Sequence, residues 1–505
     1  MNPLSGTDLR ADTDPDSGTG SETTRFQSAA GLNFDNSQIR ALPFAFLRDR
    51  PHRAPAPRLV AFNAELAARL GADPDALRRQ AAAWFSGAAL PPGAEPVALA
   101  YAGHQFGGFS PVLGDGRAHL LGELVAPDGA RFDLQLKGSG ATPFARRGDG
   151  RALLGPMLRE YLVSEAMAAL GVPTTRALAV VTTGETVFRD ERPGQGAVLA
   201  RIAASHFRVG TFQFFAARGE IARLRALADH AILRHDPALA GREGRYLAFL
   251  DAVIARQVDL VARWMSLGFI HGVMNTDNMA ISGETLDYGP CAFMEEFAPG
   301  TVFSSIDHQG RYSWANQPLI LGWNLARLAE TLLPLIDADP DRAAELANAR
   351  LGGIAALYER AFLARMRTRL GLAGEEAGDA ALVADLLRAI AGVDWTLAFR
   401  RLCDAAGGDL APLRALFRDF APMEAWLARW QARLVPDPVG RMRAANPAVI
   451  PRNHLVGQAL AAAEAGDMMP FQALLAAVRT PFVEAPAFMD PAPPGTPRTV
   501  TYCGT

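Results

Sequence analysis

The sequence predicts an α+β protein of two lobes, a strand-rich one followed by an extended helical one. Three observations carry that expectation. Short alternating apolar runs cluster between residues 97 and 215. From 216 the pattern turns to Ala-, Leu- and Arg-rich helical periodicity that continues to about 480. A Gly-, Asn- and Asp-rich stretch at 271–315 interrupts the helical part. The period of the apolar pattern decides between strand and helix, because side chains repeat every two residues in one and every 3.6 in the other.

Residues 1–36 are rich in Ser, Thr, Gly and Asp and show no apolar face, so a disordered tail is expected there. With several acids, few arginines and no apolar h-region, that tail reads as neither a transit peptide nor a secretory signal. Arg117–Val125, Arg131–Lys137, Arg176–Thr182 and Ala197–Ala203 alternate as strands. One helix is expected from Pro156, a good first-turn residue, to Gly171, with Pro173 just beyond. The expected organisation is a first lobe over 37–215, a second over 216–490, and a flexible Pro-rich tail over 491–505 carrying Cys503. No repeat of fixed period is present.

Composition excludes several classes. The chain has 505 residues, 49% hydrophobic and 20% charged, which is neither collagenous nor wholly disordered. A net charge of −3, from 50 basic and 53 acidic residues, offers no case for a nucleic-acid partner. No uninterrupted apolar run approaches the roughly 18 residues of a membrane span. Three cysteines without C-x-x-C spacing make neither a disulfide scaffold nor structural zinc, and fit a reducing, cytoplasmic compartment.

The basic residues are unevenly chosen. Of the 50, all are Arg except Lys137, so this position is one where Arg will not do. Lys is a compact point charge on a slim stem and Arg a broad planar fork, and a tight site between phosphates wants the former. Upstream, GHQFGGFSPVLGDGRAHLLG offers bare backbone around Gly114, Gly116 and Arg117, where amides can approach phosphate. Downstream, the expected helix carries Glu160 and Glu165, about 140° apart on a helical wheel, so one of the two can face Lys137. A strand lysine paired with a helix glutamate is the phosphate clamp of kinase folds. Between them, GSGATPFARRGDGRALLGP holds Asp149 and Gly150 in a polar loop.

The strongest signal is HGVMNTDNMAISGETLDYG, residues 271–289. Set against the kinase loop H-R-D-L-x-x-x-N it runs in register from His271 to Asn278, and Asp287-Tyr288-Gly289 then reads as D-F-G with Tyr for Phe. Asn278 and Asp287 would supply the oxygen ligands that a hard divalent ion needs. The kinase aspartate position is occupied by Val273, which cannot take a proton. Asp277 is the nearest carboxylate that could act instead. His271 reads as a structural loop residue. The expected architecture is thus a bilobal, protein-kinase-like fold, holding either a silent nucleotide-binding scaffold, a kinase with a relocated base, or an enzyme whose chemistry has moved.

With these residues in hand, the chain resembles the selenoprotein O family of pseudokinases, whose bacterial members are protein adenylyltransferases. The resemblance runs from about Asn33 to the C-terminus. It includes LQLKGSGATPFARRGDGRALLGPMLREYLVSEAM, ARIAASHFRVGTFQ, GFIHGVMNTDNM, LDYGPCAFME and the terminal YCGT. It implies that ATP binds flipped relative to kinases and that AMP, or UMP from UTP, passes to a Ser, Thr or Tyr hydroxyl of a protein, releasing pyrophosphate. It further implies Gly114, Gly116, Arg117, Lys137, Asp149, Gly150, Arg201, Arg208 and Asp287 as nucleotide ligands. Glu160 is implied as the partner of Lys137, Asn278 and Asp287 as ligands of Mg²⁺ or Mn²⁺, and Asp277 as the base. A monomer without nucleic-acid or membrane partners is expected. Cys503 stands where eukaryotic members carry selenocysteine.

Position suggests one redox feature. Cys291 lies four residues after Asp287, and Cys503 sits near the end of the expected tail. A tail can deliver a thiol at a closure entropy that grows only logarithmically with length, so a reversible Cys291–Cys503 disulfide is expected to tune activity, with Cys403 staying reduced.

Overall fold

The computed structural model describes residues 26–27, 30–189 and 192–502. Its first lobe is built on an antiparallel sheet. Along the main path the strands run Phe26–Gln27, Asn33–Phe34, Ala118–Val125, Arg131–Lys137, Arg192–Ala203, Arg176–Arg189 and Arg58–Phe62. The FDLQLK alternation sets the faces. Leu134 and Leu136 enter an apolar cluster with Leu121, Val181, Val198 and Phe85, so Gln135 and Lys137 must face the other way. Cross-strand register sets Arg201 opposite Gln135 and Leu199 opposite Lys137, which puts two cations on one face of the sheet.

The expected helix spans Leu154–Ala169. Its Leu158, Tyr161 and Leu162 pack on Val180 and Leu199 of the sheet, which holds Glu160 over the polar face.

In the helical lobe the 23-residue helix Arg245–Leu267 ends at Gly268, whose φ of 72° is left-handed. A Cβ there would lie 2.8 Å from the Trp395 ring, so the stop needs glycine on two grounds. Strand Phe269–Ile270 follows and pairs with Ala292–Phe293. Residues 271–291 are therefore a loop closed at its base by two paired strands, which fixes both ends of the chemistry-bearing segment.

Three expectations about organisation change. The tail expected through residue 36 ends earlier, because Leu32 and Phe34 are fully buried and Phe34 pairs with Leu124; two well-placed apolar residues anchor a segment whose average composition is polar. Residues 1–25 and 28–29 of that tail lie outside the described residues. The boundary near 215 does not separate packing units either. Helix Val209–Ala216 packs on helices Ile221–His235 and Gln317–Ile336, and helices Asn453–Glu464 and Met469–Arg479 return to pack on Leu154–Ala169. The Pro-rich tail is tied down as far as Thr501, which is buried, donates from its amide to Phe303 O and from its hydroxyl to Pro290 O at 2.7 Å; Cys503 lies outside the described residues. No uninterrupted apolar run is involved in the one helical stretch among the described residues, Trp314–Ile336, that is long and apolar enough to cross a membrane: it contains Arg327 and Glu330, has a mean hydropathy of 1.3, and half of its apolar window is buried inside the protein.

Candidate active site

Lys137 is at the centre of the polar face. Its Nζ lies 2.5 Å from Glu160 Oε2 and 2.9 Å from Asp287 Oδ1, so strand, helix and loop meet at one ammonium. Arg201 reaches the other Glu160 oxygen at 3.2 Å and donates to Gln135 Oε1 at 2.5 Å. Glu165 faces away, paired with Arg176 at 2.7 Å and Arg479 at 2.9 Å. The structure therefore selects Glu160 between the two candidates, as the helical wheel requires. Burial alone would raise the Asp287 pKa, but Lys137, Arg117 and Arg201 outweigh it and hold this group well below the usual carboxylate range.

Arg208 completes the cationic wall. It stacks over Tyr101, 4.3 Å from the ring centroid, and lies 3.4 Å from Asp115. Its Nε and that of Arg201 are buried without a hydrogen-bond partner, N–H groups that an anion could use. Asp115 in turn accepts from Gln135 Nε2 at 2.9 Å. Tyr101 and Gln135 thus join the site without having been singled out in the sequence, and Asp115, inside the GDGR run, had no role assigned to it. Gln135 was within reach, because it shares a face with Lys137 two residues on.

The Gly-rich segment has a packing role in the structure. Gly114, at a φ of 66°, would place a Cβ 2.2 Å from the Phe144 ring, and at Gly116 a Cβ would come within 3.0 Å of Phe144 O. These glycines admit the following polar loop, which docks further through Thr142 Oγ1 to Asp115 O at 2.7 Å. Gly150, φ 68°, leaves no space for a Cβ, which would meet Ala141 N at 2.1 Å. Asp149 stands apart from the Lys137 cluster. It is half exposed and grips Arg189 through both oxygens at 2.9 Å. That hydrogen-bonded arginine lowers its pKa.

The loop 271–289 supplies the other wall. His271 Nε2 bonds Leu286 O at 3.0 Å and its amide donates to Gln317, so it ties the two halves of the loop together, as a structural residue should. Val273 is buried. Asp277 has its Oδ1 buried and unpartnered and its Oδ2 3.4 Å from Gln105 Nε2. Burial pushes its carboxyl up to about 6 against the pull of Arg208. The hairpin Gly103–Ser110 roofs it: a Cβ on Gly103 would lie 2.8 Å from Asp277 Oδ1, so only glycine lets the strand come this close.

Asn278 and Asp287 suit a hard divalent ion. The Asn278 amide donates from Nδ2 to Val273 O at 3.2 Å, which leaves its carbonyl oxygen for ligation. Asp287 gives one oxygen to Lys137 and the Gly289 amide, leaving Oδ2. Among the described residues no cluster of three or more His, Cys, Asp or Glu forms a metal cage. That absence is compatible with Mg²⁺, which commonly takes one or two protein oxygens and completes its shell with substrate phosphates and water.

The fold and site define a class: a kinase-like protein with the lysine–glutamate pair in place, Asn278 and Asp287 oxygens that could hold a metal, and valine at the usual catalytic aspartate position. Comparison with known proteins places the chain further. The family model described as protein adenylyltransferase SelO matches residues 34–479. A protein nucleotidyltransferase YdiU from Cereibacter sphaeroides is 60% identical over 480 residues, covering 94% of this chain and all of the relative. Those from Rhizobium johnstonii and Rhizobium rhizogenes are 56% and 55% identical, covering 94% of this chain and 98% of theirs. The chain belongs to the protein adenylyltransferase SelO family, a family of nucleotide-transferring enzymes.

Proposed function

We propose that the protein transfers AMP from ATP to Ser, Thr or Tyr hydroxyls of other proteins, with the γ-phosphate turned inward. The observation that carries this reading is a buried group of cations with an unpartnered carboxylate next to it. Lys137 and Arg201 are buried beside Glu160, Arg117 acts with them on Asp287, and the unpartnered Oδ1 of Asp277 lies under the hairpin, where Arg208 acts on it. A triphosphate laid with its terminal phosphates against Lys137 and Arg201 turns its α-phosphate toward the base. Asp277 takes the acceptor proton, the acceptor oxygen bonds to the α-phosphorus, and the bond from that phosphorus to the bridging oxygen breaks. Pyrophosphate leaves, its growing charge met by Lys137 and the arginines, groups held in place before the reaction starts. Gly114, Gly116, Asp149 and Gly150 shape the rim against which the nucleotide lies. Mg²⁺ or Mn²⁺, held by Asn278 and Asp287, would add charge neutralisation on the phosphates. UTP, carrying the same triphosphate, would deliver UMP by the same route. We place the enzyme in the cytoplasm as a monomer.

Incubation with a protein acceptor and α-labelled or γ-labelled ATP tests this reading. Label on protein from the α-labelled nucleotide alone is expected. Label from the γ-labelled nucleotide would mean a kinase with a relocated base, and none from either a silent scaffold.

A further inference from the structure

The hairpin over Asp277 has a second face. Its inner side is bonded to the catalytic loop: His104 N donates to Thr276 Oγ1 at 2.7 Å and Phe106 N to Asn275 Oδ1 at 3.1 Å. Its outer side presents Phe106 and Phe109, 37% and 44% exposed. Phe106 packs edge-on against Tyr312 at 5.0 Å, and His104 lies 4.9 Å from Phe109 and 5.1 Å from Trp323. An aromatic shelf therefore begins at Gln105, the residue that touches the base, and continues outward to Trp323.

Two cations lie over the Trp323 ring of this shelf, Arg311 and, at 5.1 Å, Arg327, and Arg311 is the one without a carboxylate partner among the described residues. The Arg311 guanidinium lies 4.9 Å from the Trp323 ring centroid and 5.7 Å from that of Tyr312, beside Gly107 at the hairpin tip. Its Nε is buried and unpartnered, and among the described residues no carboxylate lies within ion-pair distance of it. The neighbouring charges are already spoken for. Arg327 pairs with Glu330 at 2.5 Å, and Asp307 accepts the Arg311 and Tyr312 amides at 2.9 and 2.8 Å. Burial holds the His104 pKa below its ordinary value, so that ring is neutral near pH 7. The net charge this surface offers an incoming chain is the Arg311 fork, immobilised between rings so that little ordering entropy remains to be lost on binding.

We propose that the hairpin Gly103–Ser110, Arg311 and Trp323 form the acceptor-docking surface, and that it selects protein segments in which an acidic residue flanks the target hydroxyl. The inference rests on the nucleotidyl-transfer reading and adds the substrate class to it. Carboxylate is the expected partner because a planar fork takes it bidentately, and the exposed phenylalanines add apolar contact that is indifferent to charge.

The test uses three peptides with one hydroxyl flanked by Glu, Gln or Lys, the full-length enzyme and α-labelled ATP. Wild type should order kcat/KM as Glu above Gln above Lys, with about tenfold between the extremes, the size expected of one charge-assisted pair. Arg311→Glu should invert the order by raising the Lys peptide above its wild-type value, a gain that misfolding cannot produce. Equal rates on the three peptides, or an order unchanged in Arg311→Glu, would overturn the docking assignment alone. If none of the three is labelled, the transfer reading falls and the docking assignment with it.

Discussion

Replacing Lys137 tests the centre of the site directly. In Lys137→Ala the ammonium that bridges Glu160 and Asp287 at 2.5 and 2.9 Å is gone. Glu160 keeps Arg201 at 3.2 Å, whereas Asp287 loses its direct cationic contact. Breaking a buried pair in this way typically costs about 3–5 kcal/mol, because a charge is left behind without its partner. That cost is read in Tm; transfer itself, losing one preorganised cation from the departing pyrophosphate, should fall by roughly 10² to 10³. Lys137→Arg should not rescue it. The position faces Leu199 and Ala118 across the sheet, and a guanidinium is too broad to occupy the point between two carboxylates. Initial rates with α-labelled ATP, alongside calorimetric nucleotide binding and Tm, measure the effect. Activity of Lys137→Arg within a few-fold of wild type would refute the point-charge reasoning.

Asp277→Ala should retain metal-dependent ATP binding while losing about 10² to 10⁴ in turnover, the usual size of general-base assistance; Asp287→Ala should lose both, and calorimetry separates the two. Burial pushes the Glu284 carboxyl up to about 7 from an ordinary 4.5, so between those values the folded protein holds a proton that the unfolded chain has released. Stability should therefore fall as pH rises from about 4.5 to 7, by at most about 3 kcal/mol, and Glu284→Gln should remove the slope in denaturant titrations. For the thiols, Thr501 bonding to Pro290 O keeps the chain two residues before Cys503 beside Cys291, a buried thiol whose pKa burial raises to about 11. A Cys291–Cys503 linked peptide should appear on non-reducing mapping after slow oxidation, with Cys403 unlinked; its absence, or a Cys503→Ser variant equally active in both redox states, would refute the pairing.

The parts of the site legible in sequence were those whose chemistry is local. Lys137 stood out as the single lysine, the 271–289 loop aligned by spacing, and the Glu160/Glu165 ambiguity was one that helix geometry posed and packing resolved. Contacts made across long sequence separations were not legible. Gln105 reaching Asp277, Asp115 bridging Gln135 and Arg208, and Glu464 accepting from Gly155 N at 3.1 Å each join segments that no local pattern relates. Averaged composition failed at the chain ends for a similar reason. Leu32, Phe34 and Thr501 are single well-seated residues inside polar or Pro-rich stretches, and one buried side chain is enough to order a short segment that composition would leave loose.

The return of the C-terminal helices onto Leu154–Ala169 bears on control. In kinases the helix carrying the clamp glutamate swings in and out, and that swing is the on-off step. Here Glu464 holds the first turn of the helix through Gly155 N, Arg479 holds Glu165 further along, and Phe471 lies against Tyr161 at 6.3 Å. To withdraw Glu160 from Lys137, the protein would have to peel the two C-terminal helices off Leu154–Ala169. The clamp glutamate is thus braced in the engaged position by the chain's own C-terminal helices, a support that local sequence around Lys137 and Glu160 does not reveal.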